Sequence, residues 1–173
     1  MLISKPRVTI IAYDSSDAHT YRNCLETCNY HVDVIWIGSY EELMAVFNDA
    51  NATSDTIIID THGDSDKGFV SDSNPTFTFA DIANTKGLFG KRVVSTACDS
   101  GTDRFVESFN KAGTSAYVAP KKEVGGPETI IFLTTFFYNL NKTTFYPDVE
   151  PSDWSKVSQM KEVWGEDWVF SGC

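Results

Sequence analysis

The chain has 173 residues, 42% of them hydrophobic and 13% aromatic, which is the size of one ordinary domain with material for a substantial core. Its 24 acidic against 14 basic residues give a formal net charge of -10, which argues against nucleic acid or an anionic membrane as the main partner, since both reward a basic surface. No run approaches the roughly 18 apolar residues of a membrane span, and the opening Met1-Leu2-Ile3-Ser4-Lys5-Pro6 lacks the apolar stretch and cleavage site of a secretory signal, so a single cytoplasmic domain over 1–173 is expected.

In chain order, Arg7 to Tyr13 is rich in β-branched residues and reads as a strand, closed by Asp14-Ser15-Ser16-Asp17 and followed by a helix to about Cys28. His31 to Ile37 is a second strand, stopped by Gly38-Ser39, and Tyr40 to Ala50 carries Leu43, Met44 and Phe47 at helical spacing. Thr56 to Asp60 is a short apolar run of the kind buried on both faces of a parallel sheet, and it ends in Thr61-His62-Gly63-Asp64. The polar stretch from Ser65 to Phe79 predicts small hairpin strands at Phe69-Val70 and Thr76 to Phe79, with a short helix over Ala80 to Asn84.

A fourth strand, Arg92 to Ala97, delivers Cys98-Asp99-Ser100-Gly101 into a turn, and Thr102 to Ala112 is an amphipathic helix stopped by Gly113. Ser115 to Ala119 is a fifth strand, followed by a loop through Pro120 to Pro127 and an apolar helix from Glu128 to about Leu140. In the tail, Ser152 to Val163 reads as a helix and Asp167 to Phe170 as a sixth strand, with Trp154, Trp164 and Trp168 as packing residues. Strands alternating with helices predict an α/β sandwich of three layers around a mostly parallel sheet of about six strands.

The four cysteines, Cys24, Cys28, Cys98 and Cys173, lie in dissimilar contexts, so reduced thiols are expected rather than a disulfide framework. Cys24 and Cys28 share a helix face, but the neighbouring sequence supplies no further pair of metal ligands, and they read as packing.

Ligand sites in parallel sheets lie beyond the carboxyl ends of the strands, and His62 and Cys98 each fall at such an end, on strands consecutive in the parallel series. A thiolate attacks an amide carbonyl well when a nearby imidazole shares its proton. The resulting oxyanion needs backbone N–H donors, and the amides of Gly63 and of Cys98 are placed to supply them.

These residues resemble a family. His62-Gly63 after one hydrophobic strand and Ala97-Cys98-Asp99-Ser100-Gly101 after the next are similar to the catalytic His-Gly and Ala-Cys elements of the caspase-like cysteine peptidases, and in particular of the CHAT domains. The likeness runs through Thr76-Phe77-Thr78-Phe79, Asp81-Ile82-Ala83, Ser95-Thr96-Ala97-Cys98 and Phe105 to Gly113, covering roughly residues 55 to 140. It implies a caspase-like fold and an endopeptidase acting on a protein or peptide, with His62 and Cys98 catalytic, an oxyanion hole at Gly63 and Cys98, and neither metal nor organic cofactor. A protease without a recognition domain of its own is also expected to answer to an activating partner or ligand.

The likeness stops at Pro120-Lys121-Lys122-Glu123-Val124-Gly125-Gly126-Pro127, where CHAT domains carry Trp-Pro and paired acids, so substrate selection does not transfer. Asp60, Asp64 and Asp99 crowd the predicted rim, either as a pocket for a basic P1 residue or as solvated loop acids, while Lys67, Arg104, Lys121 and Lys122 leave an acidic P1 open. Two rivals remain: a catalytically inactive caspase-fold adaptor, and a receiver-like domain built on Asp14, Asp60, Thr96 and Lys121. The receiver reading leaves His62-Gly63 and Ala97-Cys98 without a role.

Overall fold

The computed structural model describes residues 5–172, so Met1 to Ser4 and Cys173 lie outside the described residues. Six strands form the central sheet: β1 (Arg7–Tyr13), β2 (His31–Ile37), β3 (Thr56–Asp60), β7 (Arg92–Ser95), β8 (Ala116–Pro120) and β9 (Trp168–Ser171). Their order is β2-β1-β3-β7-β8-β9, with every neighbouring pair parallel except β8 and β9. Three short strands, β4 (His62–Asp64), β5 (Gly68–Val70) and β6 (Phe77–Thr78), make a separate antiparallel sheet in the β3–β7 connection.

Side chains alternate across a pleated strand, so each buried strand serves two cores. Val8, Ile10 and Ala12 of β1, Ile58 of β3 and Val118 of β8 face one layer. That layer contains α1 (Ala18–Thr27), α5 (Gly126–Asn141) and the tail elements α6 (Trp154–Ser158) and α7 (Lys161–Trp164). Ile11 and Tyr13, Ile57 and Ile59, and Tyr117 and Ala119 face the other, built from α2 (Tyr40–Asn48), α3 (Phe79–Asn84) and α4 (Asp103–Lys111) together with Phe69 and Phe77 of the small sheet. The chain is therefore a three-layer α/β sandwich, and β3, buried at all five positions, lies at its centre.

Local chemistry explains the boundaries. Ser39 Oγ caps α2 by accepting from the Glu42 amide, and Glu42 reaches back to the Gly38 amide. Thr78 and Asp81 form a full capping box at the start of α3. All three tail tryptophans are buried, and Trp168 stacks on Phe132 with ring centroids 3.4 Å apart.

Three sequence expectations are revised. His62 to Asp64 forms a strand, because it pairs with Gly68 to Val70 instead of trailing off as a turn. The strand before the cysteine ends at Ser95, since the Ala97 amide turns back onto Ser95 Oγ at 3.2 Å. The tail helix is split into α6 and α7, and Trp164 Nε1 donates across the bend to the Val157 carbonyl at 2.8 Å.

Candidate active site

β3 and β7 are parallel neighbours with Ile59 opposite Ser95, and the Thr96 amide donates to the Ile59 carbonyl at 3.0 Å. The segments that leave their carboxyl ends, Thr61-His62-Gly63 and Ala97-Cys98-Asp99, therefore start side by side. They meet at Gly63. A Cβ added there would overlap the Cys98 carbonyl oxygen and press on the Ala97 Cβ, so only glycine allows this approach.

The turn carrying Cys98 is held from beneath. Ser100, fully buried, donates from its Oγ to the Ala97 carbonyl at 2.6 Å and lies 2.8 Å from Ser95 Oγ. Tyr117, fully buried on β8, donates its hydroxyl to the Ser100 carbonyl at 2.8 Å. The Gly101 amide donates to the Pro120 carbonyl at 2.6 Å. Asp99 takes a left-handed backbone (φ 54°), which turns the chain sharply after the cysteine. The helix α4 begins only at Asp103, so Cys98 sits a turn ahead of it, beyond the first helical turn where the dipole acts.

Cys98 is half-buried, and its thiol donates to the Val124 carbonyl at 3.7 Å. His62 is exposed on β4 opposite Val70. Among the described residues no hydrogen bond joins the thiol to the imidazole. The Ala97 amide is used by Ser95 and the Asp99 amide by the Lys122 carbonyl at 3.3 Å, whereas the Cys98 amide between them has no acceptor among the described residues.

The three predicted rim acids have separate environments. Asp60 is 3% exposed, and its Oδ1 accepts from Thr96 Oγ1 at 3.1 Å while Oδ2 has no partner among the described residues. Burial pushes its carboxyl up to about 6. Asp64 closes its own turn, accepting from the Asp66 and Lys67 amides and pairing with Lys67 Nζ at 3.0 Å. Asp99 is half-buried and directly follows Cys98. The cations near the site are also engaged: Arg104 donates to the Asp66 carbonyl at 3.0 Å and lies over the Phe79 ring, and Lys122 pairs with Asp167 at 2.8 Å. A cavity of about 510 Å³ opens between Asp66, Phe79 and Arg104.

Of the receiver constellation, Thr96 does bond Asp60, but that carboxylate is covered and Lys121 is exposed to solvent. Cys28 packs in the α1–α5 layer with its thiol on the Thr134 carbonyl at 3.7 Å. Among the described residues no group of three or more His, Cys, Asp or Glu is placed to hold a metal ion. No helix among the described residues is long and apolar enough to cross a membrane.

Sequence reading missed Val124 and Asp167, which reach the site through a main-chain carbonyl and a fold-level contact, and Tyr117, whose role depends on the strand order. No protein-family model matches the chain, and no curated protein matches it in sequence.

Proposed function

We propose that the protein is a caspase-like cysteine endopeptidase with Cys98 as nucleophile and His62 as base. The observation that carries this reading is the close approach of the Gly63 backbone to the Cys98 carbonyl, which brings the two motifs to one point above adjacent parallel strands. Cys98 Sγ attacks the carbonyl carbon of a peptide bond and its proton passes to His62. The amides of Gly63 and Cys98 receive the oxyanion, and the tetrahedral intermediate collapses to a thioester as the leaving amine takes the proton from His62. Water, deprotonated by His62, then releases the acid and restores the thiol. In this reading the thiol leaves the Val124 carbonyl when substrate arrives, and the base bond tightens in the complex, as it commonly does from looser apo geometries.

The substrate is a protein or peptide, and a partner or ligand that moves the 121–125 segment serves as activator. The working compartment is the cytoplasm, where thiols stay reduced. The thiol's bond to Val124 favours a second reading, a catalytically inactive adaptor on the same fold. Receiver chemistry is disfavoured because a phosphoacceptor aspartate has to meet solvent, and Asp60 does not.

The test maps new protein N-termini by mass spectrometry in host lysate treated with wild-type protein, Cys98→Ala or His62→Ala. Cleavage seen only with wild type, at sites sharing one P1 residue, is the expected result. Three coincident profiles, with host extract present, favour the adaptor.

A further inference from the structure

β1 ends at Tyr13, and the next residue, Asp14, holds a left-handed backbone with φ 55°, an uncommon state for a residue that has a Cβ. That geometry aims its carboxylate at the loop after β5. Both of its hydrogen bonds fall on one oxygen: Ser71 Oγ donates to Oδ2 at 2.8 Å and the Asp72 amide at 2.9 Å. Tyr13 adds a tie from its hydroxyl to the Pro75 carbonyl at 3.4 Å.

Ser71 directly follows Val70, and Val70 is the β5 residue opposite His62 in the β4–β5 ladder. Besides the chain itself through Thr61, a second path from the central sheet to the imidazole therefore runs through Asp14, Ser71, Val70 and His62. This tie matters because the small sheet is made of strands of three, three and two residues, too short to hold register on their own. The electrostatics agree. Asp14 is held below the usual carboxylate range first by Ser71, then by Asp72, and further by the nearby His62.

We propose that Asp14 is a positioning residue for His62, fixing the imidazole's strand against the central sheet by gripping the end of β5. Its functional meaning rests on the peptidase reading, but the positioning itself does not. Asp14 touches no reacting atom in this scheme and acts through the strand.

Two substitutions separate the carboxylate from the turn. Asp14→Gly keeps the left-handed backbone without cost and removes the grip. Asp14→Asn keeps the turn and an oxygen able to accept from both Ser71 and Asp72. The measurements are the His62-dependent part of the Cys98 iodoacetamide alkylation rate and the ring-proton NMR resonance of His62, assigned by its loss in His62→Ala.

Asp14→Gly is expected to slow the His62-dependent alkylation on the order of tenfold and to move the His62 resonance toward that of an unstructured histidine. Asp14→Asn is expected to retain most of the wild-type rate and the wild-type resonance. A wild-type resonance in Asp14→Gly, or an Asn variant as displaced as the Gly variant, overturns the proposal. If His62→Ala leaves alkylation unchanged while Asp14→Gly still displaces the resonance, the dyad falls and the positioning role stands.

Discussion

The Cys98 thiol is directed at the carbonyl oxygen of Val124, 3.7 Å away, and among the described residues it makes no hydrogen bond to His62. Val124 belongs to a strap pinned at several points: the Asp99 amide bonds the Lys122 carbonyl, the Lys121 amide bonds the Asp167 carbonyl at 2.8 Å, and Lys122 pairs with Asp167 Oδ1. The ion pair is exposed, and exposed pairs contribute about 0.2–1 kcal/mol. Asp167→Asn is therefore expected to raise the Cys98 alkylation rate by about 1.4-fold to fivefold, and added salt is expected to raise the wild-type rate toward that of the variant. Alkylation followed by intact mass checks both, and a rate unchanged by either removes the strap as a barrier to the thiol.

Gly63→Ala tests the meeting of the two strand ends. The new methyl would overlap the Cys98 carbonyl oxygen, a main-chain atom that cannot rotate away. Overpacking of this kind costs about 1–3 kcal/mol. A lowered thermal midpoint together with loss of proteolysis is expected. A variant with wild-type melting and wild-type cleavage would mean that the two strand ends do not meet at Gly63.

Much of this arrangement was open to sequence reading. The ends of β1, β2 and β3 follow from dense β-branched runs bounded by polar turns, and the same punctuation puts His62 and Cys98 just beyond the ends of β3 and β7. By position alone Asp60 reads as a rim acid, open between a pocket and solvent: it follows three isoleucines, yet nothing local reveals that the strand end is covered or that Thr96 bonds it. Val124 was illegible for a different reason. It contributes a carbonyl, which every residue has, so its identity carries no signal.

Asp60 also gives stability a pH dependence of defined sign. Its folded pKa is raised to about 6 from an ordinary 3.8, so between these values the native state binds more protons than the unfolded one. Stability from this group is then fully present below pH 3.8 and is lost as pH rises through about 6. The full shift corresponds to about 3 kcal/mol at 1.36 kcal/mol per unit. Asp14, Asp33 and Asp64 have lowered pKa values and act in the opposite direction, losing their contribution as pH falls. The clean observable is thus the difference between Asp60→Asn and wild type. Urea unfolding should show the variant gaining about 1–3 kcal/mol relative to wild type on going from about pH 4 to about pH 7. A difference that is flat with pH would place the Asp60 carboxyl in a more solvated setting.

Tyr117 links the core to the turn that carries Cys98. Its ring stacks on Phe109 with centroids 4.2 Å apart, and its hydroxyl is the buried donor to the Ser100 carbonyl. Tyr117→Phe keeps the stack and removes one oxygen, leaving that carbonyl without its donor at a cost of about 1–3 kcal/mol. The loss falls on the turn that presents Cys98, two residues before the unpartnered acceptor. If the hydroxyl only stabilises the fold, alkylation of Cys98 under native conditions stays at the wild-type rate while the urea midpoint drops. If it also shapes the turn, the His62-dependent part of the alkylation rate falls as well. The second outcome is expected, because Ser100 is fully buried and bonds Ala97 and Ser95, so movement of its carbonyl transmits directly to the residues that lead into the thiol. Measuring both quantities on Tyr117→Phe and on Ser100→Ala decides it: a shared loss of reactivity identifies one supporting unit, and a midpoint change without loss of reactivity confines both residues to the core.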